Sequence, residues 1–309
     1  MKNSEKPIMP EVTIDPARFA AIDLKKGSHG TPDEGMCLME ATAFLVGERH
    51  SDNPQCVSPV LGTFGRNLND VLPDDLRQDL KGLIPSLPGT ADDGWDARRS
   101  YLALDWLIRT WLPAWLELSP SCREDARTVR ALGRIVDVVS AHRAGPVVRE
   151  ALRHSAAAGA AAGAGAWDAA RIVVRDSAWD AAREAAGTIA WDATGAVASA
   201  AARAAHGVVA EIVHRGVAED VVVPAVRELQ LSAINLYTEM ITSGPSGPDG
   251  RPRAEGCSCP SRVEPTRHRR ERRWARPTTR TPRPTAKPGS RRSSLVARGR
   301  GVEADRSAE

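Results

Sequence analysis

The chain of 309 residues is long enough for one large or two modest domains, and its net charge of +3 is too small to indicate a class of partner. Arg outnumbers Lys 36 to 6 and Ala is abundant, which is typical of a GC-rich genome rather than of a function. Because a signal-peptide pattern and an uncharged apolar window of about 18 residues are both lacking, we expect a cytoplasmic protein with no membrane partner and with reduced cysteines.

Changes in composition divide the chain into four segments. Alternating strand patterns are scarce, and Phe and Tyr total only five, so the folded part is predicted to be all-α. The segments are an irregular N-terminal arm (1–30), a helical domain (31–120), an Ala-rich helical region (121–242) and a basic tail (243–309). The tail is rich in Pro and Arg and almost free of aliphatic side chains, which predicts disorder.

Cap and turn residues indicate the helices of the 31–120 segment. The apolar run from Asp33 to Gly47 predicts a short buried helix. Ser58 and Pro59 are the residue types expected at an N-cap and a first helical position. Pro73, followed by acidic residues, predicts another helix start. The Trp-rich helix that comes next is expected to bend or break near Pro113.

The Ala-rich region contains a repeat of Trp-Asp-Ala units. Trp167, Trp179 and Trp191 are spaced by twelve residues. On one unbroken helix, about 100° per residue would turn these three side chains to three different sides. Either neighbouring elements surround an unbroken helix, or Gly187 and Gly195 break it. We predict the breaks, with each Trp packed in the core rather than exposed for ligand stacking.

Two plainer helices are predicted on either side of the repeat. The stretch "REDARTVRALGRIVDVVSAHR" (123–143) predicts one continuous amphipathic helix. The stretch "EDVVVPAVRELQLSAINLYTEMIT" (219–242) predicts the last helix, which should start at or near Pro224.

The stretch "GMCLMEATAFLVGERHSDNPQC" (35–56) concentrates residue types that carry chemistry. "DEGMC" resembles the D-G-x-C start of the catalytic helix in ovarian-tumour-type cysteine proteases, although Glu34 interrupts the pattern. At a helix N-terminus, the pKa of Cys37 would be lowered and its thiol would be a candidate nucleophile. A matching downstream His motif is lacking, so a small buried core residue is the alternative interpretation.

The same stretch offers ligand types that zinc accepts, namely Cys37, Glu40, His50 and Cys56. It has neither a C-x₂-C pair nor an H-x₃₋₅-H pair, which are the usual zinc spacings. We predict no cofactor and keep metal binding by Cys37, His50 and Cys56 as the weaker alternative to a structural loop.

Glu40 lies on a helix that is apolar on nearly every side, so its carboxylate is predicted to be buried, ionised and paired. The expected partners are His50, Arg66 or Arg109. Asp105 has Arg109 four residues later as its own partner. Two interpretations stay open: separate structural ion pairs, or one polar pocket in which Glu40, His50, Asp105 and Arg109 act as catalytic residues.

The tail and the rest of the chain have opposite charges. Residues 251–309 carry 17 Arg and Lys against 6 Asp and Glu, a net +11, whereas the first 250 residues carry −8. Such a basic run predicts non-specific phosphate binding with limited base stacking, unless the tail is an unselected read-through extension. The candidate nucleic-acid contacts are Arg267, Arg269, Arg270, Arg272, Arg273, Trp274 and Arg276.

The segments "GMCLMEA" and "HSDNPQCVSP", together with the Trp-Asp-Ala units, resemble a family of actinobacterial, actinobacteriophage and Deinococcus-like proteins. The family pattern is G-x-C-x-M-E-A followed by H-S-D-x-P-x-C-x-S-P. The resemblance covers about residues 27–118, and 155–206 by composition. It implies the helical domain and a phage-related setting, and it brings no activity with it.

We therefore predict a non-catalytic helical interaction or accessory protein with an unidentified protein partner. Two alternatives remain open. One is an enzyme or metal-binding protein that uses the Cys37, Glu40, His50 and Cys56 region. The other is a nucleic-acid-associated protein that acts through the basic tail.

Overall fold

The structure is a computed structural model that describes residues 15–216 and 218–244, with the backbone alone for residues 189–194, 218 and 219. The described part is all-α, as predicted; it contains no strand and one isolated bridge, between Leu24 and Met36. Its helices are α1 (Pro16–Ala20), α2 (Leu38–Val46), α3 (Pro59–Val71), α4 (Asp74–Asp79), α5 (Asp96–Trp106), α6 (Leu112–Leu116), α7 (Arg123–Arg130), α8 (Val138–Ala158), α9 (Ala164–Asp176), α10 (Trp179–His214) and α11 (Ala218–Thr242).

The ends of the early helices follow the local cap chemistry. Helix α2 ends at Gly47, whose φ of +76° is the left-handed conformation that glycine adopts without strain. Ser58 caps α3, since its hydroxyl accepts the Leu61 N–H at 3.3 Å, and Pro59 is the first helical residue. Pro73 immediately precedes α4. These predictions are confirmed, except that α2 begins at Leu38 and not at Asp33, which lies in a separate 3-10 turn.

The chain passes Pro113 without a break. Helices α5 and α6 are joined by one turn of π-helix, Leu107–Trp111, in which the Leu112 N–H donates to the Leu107 carbonyl. Proline has no N–H to donate and its ring crowds the carbonyl four residues earlier, so a wider turn accommodates it within a continuous helical path. Of the predicted bend or break, the structure shows an interruption of the α-helix by this π turn, and the helical path itself continues through Pro113.

The single helix predicted over residues 123–143 is wrong. Helix α7 ends at Arg130 and α8 begins at Val138. Asp137 caps α8 by accepting the Ser140 N–H at 2.7 Å. Asp137 and Ser140 have the spacing of a capping pair in the sequence. The pair starts a new helix within the amphipathic pattern because it satisfies backbone N–H groups that have no partner in the first turn of a helix.

The start predicted for the last helix at Pro224 is likewise wrong. Helix α11 begins at Ala218, and Pro224 lies inside it. Proline at that position removes one backbone hydrogen bond, and the packing of the helix sustains the turn around it.

Helix α10 is unbroken over 36 residues, about 54 Å at 1.5 Å per residue, and Gly187 and Gly195 both lie inside it. The predicted breaks are wrong. The chain turns instead at Ala178, whose φ is +65°. Helices α8, α9, α5 and α3 pack around α10, so different sides of the helix are buried at different points along it. That burial stabilises a long helix despite its glycines.

One apolar cluster joins the 31–120 and 121–242 segments. Trp111 and Trp115 are its largest fully buried side chains. Trp179 is partly buried and packs on Trp111 with ring centroids 6.4 Å apart, and Trp167 packs against the same cluster. Both therefore pack against the core but are only partly buried, so the predicted core position is borne out in part. The Trp191 side chain lies outside the described residues.

The stretch Gly195–His214 of α10 is long and apolar enough to cross a membrane by length and composition. In the folded chain, 72% of this window is buried among other helices. Such burial is typical of the core helix of a globular domain.

Candidate functional site

The Glu40 carboxylate is the centre of the candidate site. Its side chain is only 1% exposed and lies in the first turn of α2. One oxygen accepts the backbone N–H of His29 at 2.7 Å and the Ser28 hydroxyl at 3.3 Å. The other accepts the Cys37 N–H at 2.8 Å and lies 2.9 Å from Nδ1 of His29. The carboxylate thus ties residues 28–29 to the start of α2.

These hydrogen bonds determine the charge of Glu40. Burial by itself raises the pKa of the carboxyl, but the bonds from His29 and Cys37 outweigh it, and the pKa of Glu40 is lowered. The carboxyl is therefore ionised at neutral pH. The predicted burial and ionisation are confirmed, and the main partners are backbone N–H groups and His29, which the sequence did not indicate.

His50 is the second imidazole beside Glu40. Its Nε2 lies 3.0 Å from the His29 carbonyl and 3.8 Å from the nearer Glu40 oxygen. The longer distance is too great for a hydrogen bond. His50 therefore lies beside Glu40 as predicted. Its hydrogen bond, however, goes to the His29 backbone carbonyl and not to the Glu40 carboxylate.

Cys37 and Cys56 are both buried, at 2% and 1% exposure. Burial is the main cause that raises the pKa of the Cys37 thiol to about 12. The expectation of a lowered thiol pKa is wrong, because loss of water around the sulfur outweighs the helix N-terminus. Among the described residues, no group of three or more His, Cys, Asp or Glu is placed to hold a metal ion.

Asp105 and Arg109 form their own pair, 3.2 Å apart, as predicted. The Asp105 carboxylate also accepts the Ile135 N–H at 2.7 Å. Arg66 donates to the Asp52 carbonyl at 2.9 Å. In the part of the chain that the structure describes, these groups have partners other than Glu40 and His50, which favours separate structural pairs over one shared pocket.

Two further buried polar residues, which were not predicted from the sequence, join neighbouring segments by hydrogen bonds as Glu40 does. Asn69 accepts the Leu38 N–H at 3.2 Å and donates to the Lys25 carbonyl at 2.8 Å. Arg77, 5% exposed, donates from Nε to the Asn69 carbonyl at 2.8 Å. A polar residue on the apolar face of a predicted helix was the available signal.

Arg99 is the third such residue, with 0% exposure. It makes two bonds to the Asp93 carboxylate, at 2.8 and 2.6 Å, and donates from Nε to the Met240 carbonyl at 3.1 Å. It thereby joins α5 to the end of α11. In the sequence, Asp96 three residues earlier indicated that Arg99 could form an ion pair within the helix.

Three surface clefts of the described part lie away from Glu40. A cleft of about 470 Å³ is lined by residues that include Arg109, Thr110, Arg130 and Leu229. A cleft of about 410 Å³ lies between α9 and α10. The third, of about 310 Å³, lies between α5 and the connection from α7 to α8, and is lined by Ala97, Arg98, Tyr101, Leu102, Arg134, Ile135 and Val136.

The end of the α7–α8 connection and the start of α8 expose a short apolar segment beside the third cleft. Val136, Val138 and Val139, here called the valine edge, are 60%, 42% and 51% exposed. Ile135 within the same connection is buried. The connection thus places Ile135 in the core, while Val136 and the first two residues of α8 are exposed.

Comparisons with known proteins give no relative: no family model, curated protein or solved structure matches the chain. The resemblance to the actinobacterial and phage family stays a prediction. The tail residues of the predicted nucleic-acid contact lie outside the described residues, so that function stays a prediction as well.

Proposed function

We propose that the protein is a non-catalytic helical interaction protein that binds another protein through the valine edge and the cleft beside it. The observation that carries this proposal is the exposure of three valines within four positions, at 60%, 42% and 51%. Large apolar side chains exposed together beside a cleft are typical of a protein-binding surface.

The backbone on both sides of the valine edge is anchored. The Ile135 N–H donates to Asp105 at 2.7 Å, and Asp137 caps α8 through Ser140 at 2.7 Å. Anchoring on both sides reduces the conformational entropy that the segment loses when a partner binds. This supports a preformed surface.

The polar residues of the Glu40 region support the non-catalytic part of the proposal. The hydrogen bonds of Glu40, Asn69 and Arg99 go to backbone or side-chain groups of neighbouring segments. A buried Cys37 with a raised thiol pKa is a poor nucleophile. These side chains build the scaffold on which the valine edge is presented.

Site-specific photocrosslinking tests the proposal. We expect a benzophenone amino acid at position 138 to give discrete protein crosslinks in cells of the native host. The matched control is position 172, because Ile172 is also an exposed aliphatic residue, at 54%. The crosslinks at position 138 should disappear when Val136 is replaced by Asp.

The crosslinking result either supports or overturns the proposed surface. Crosslinks at position 138 that depend on Val136 and are absent at position 172 support the proposed surface. The same crosslinked species at both positions, or no crosslink at position 138 while the chain is folded, overturns it.

A further inference from the structure

The third cleft has a chemical character that the other two lack. Its apolar lining includes the buried Leu102 and Ile135 and the exposed Val136, and its charged lining residues are Arg98 and Arg134. No acidic residue lines it among the described residues. The volume of about 310 Å³ is at the lower end of the range for ligand pockets, so it suits an apolar side chain better than a large cofactor.

The two arginines are available to a partner. Arg134 lies 3.6 Å from Glu239, with both side chains more than half exposed, and such a surface contact contributes little stability. Arg98 is exposed and lies over the Trp95 ring, 5.6 Å from its centroid. An incoming carboxylate can replace water at Arg98 and compete with Glu239 for Arg134.

The acidic groups nearby already have partners within the fold. Asp105 accepts the Ile135 N–H and pairs with Arg109. Asp137 caps α8 through the backbone and hydroxyl of Ser140. The charge of Asp105 is compensated by Arg109, whereas Asp137 stays ionised at the N-terminus of α8. The positive charge therefore belongs to the cleft itself, at Arg98 and Arg134.

The two larger clefts are lined by both acidic and basic side chains. In the cleft of about 470 Å³, Arg130 is paired with Glu117, and Glu228 adds a further carboxylate. In the cleft between α9 and α10, Arg171 is paired with Asp168 at 2.6 Å. Both carry balanced charges and give no preference for a ligand of one sign.

We infer that the partner at the valine edge is a protein segment that alternates apolar and acidic side chains, with an apolar side chain in the cleft and carboxylates on Arg98 and Arg134. This inference rests on the proposed function and adds the chemistry of the partner. Apolar burial supplies affinity, and the arginines select against basic segments.

Peptide binding to the full-length chain tests this chemistry. The probes are two fluorescein-labelled peptides of about twelve residues, one built from Leu, Phe, Asp and Glu, the other with every acid replaced by Lys. We expect fluorescence anisotropy to show binding of the acidic peptide, weakened as NaCl rises from about 50 mM to about 300 mM, and at least tenfold weaker binding of the basic peptide.

Charge reversal then assigns the contact. The double variant Arg98→Glu, Arg134→Glu should bind the acidic peptide about tenfold more weakly or worse, and should gain affinity for the basic peptide. Arg203→Glu is the matched control, since Arg203 is exposed on α10 and lies outside the cleft. Unchanged thermal melting of all variants shows that the fold is intact.

Each failure has a separate meaning. If both peptides bind equally well, the acidic partner is overturned and the proposed surface stands. The same holds if the double variant binds the acidic peptide as wild type does while Val138→Asp abolishes binding. If neither peptide binds but crosslinks at position 138 are present, the acidic partner is also overturned and the proposed surface stands. If decanoate occupies the cleft in an Arg98- and Arg134-dependent way and neither peptide binds, the ligand is a carboxylate amphiphile and the inference is wrong. Absence of both peptide binding and crosslinks overturns both proposals.

Discussion

The backbones of Gly159 and Gly207 touch where the end of α8 crosses α10. A Cβ atom at position 159 would lie 2.6 Å from the Gly207 carbonyl oxygen, and one at position 207 would lie 2.5 Å from the Ser155 carbonyl oxygen. Both distances are shorter than atoms tolerate, and both neighbours are backbone atoms that cannot rotate away. The two glycines therefore permit a close approach of the end of α8 to the central helix.

Replacement of either glycine by alanine should destabilise the fold. We expect Gly159→Ala and Gly207→Ala each to cost about 1–3 kcal/mol, because the helices must separate to admit the methyl group. Gly165→Ala is the control, since Gly165 lies in α9 with open space at its Cβ position. Alanine there should be neutral or stabilising by up to about 1 kcal/mol. Urea unfolding measures all three, and equal free energies of unfolding would contradict the close crossing.

Glu40→Gln should destabilise the protein by a few kcal/mol. The amide cannot accept all the bonds that the Glu40 carboxylate takes from Ser28, His29 and Cys37, and buried donors lose their partner. Glu34→Gln is the control, because Glu34 is exposed in the same segment and accepts the Gly30 N–H at 3.0 Å. A change within about 0.5 kcal/mol is expected there.

The same pair of proteins gives a pH prediction. Because the folded-state pKa of Glu40 lies below its ordinary value of 4.5, its stabilisation is complete above that value and is lost as pH falls through the folded-state pKa. The difference in melting temperature between wild type and Glu40→Gln should therefore narrow below about pH 4.5. A difference that stays constant down to about pH 3 would show that the ionised carboxylate is not the stabilising species.

Cys37 should be inert in the folded protein. Its thiol is 2% exposed and its pKa is raised to about 12, so both access and thiolate fraction are low. At about pH 8, iodoacetamide should leave Cys37 unmodified in the native chain and should label it in urea, as mass spectrometry of the Cys37 peptide reports. Rapid native labelling of Cys37 would revive the nucleophile interpretation.

A chain that ends at Gly244 should fold normally. In the described part, the apolar cluster runs from Ile22 to Ile241, so the residues that bury apolar surface are kept. We expect the melting temperature to change by no more than a few degrees and the helical circular dichroism per residue of the 1–244 chain to be native-like. A chain that ends at Leu231 is the control and should unfold, because it loses the buried Tyr237 and Met240. Unfolding of the 1–244 chain would show that later residues belong to the core.

The sequence by itself determined those features whose causes are local. Gly47 ends α2 and Ser58 starts α3 because their backbone and cap chemistry act within a few residues. The burial of Glu40 was also readable, because a carboxylate on a helix that is apolar all round has no route to water. The Asp105–Arg109 pair follows from helical spacing alone.

Only the tertiary structure decided which groups meet across the chain. Glu40 is held by His29 from the segment before α2 rather than by Arg66 or Arg109, because the path of that segment is set by packing and not by any local pattern. Helix α10 runs unbroken through Gly187 because neighbouring helices surround it, and the stabilisation that burial supplies exceeds the cost of glycine in a helix.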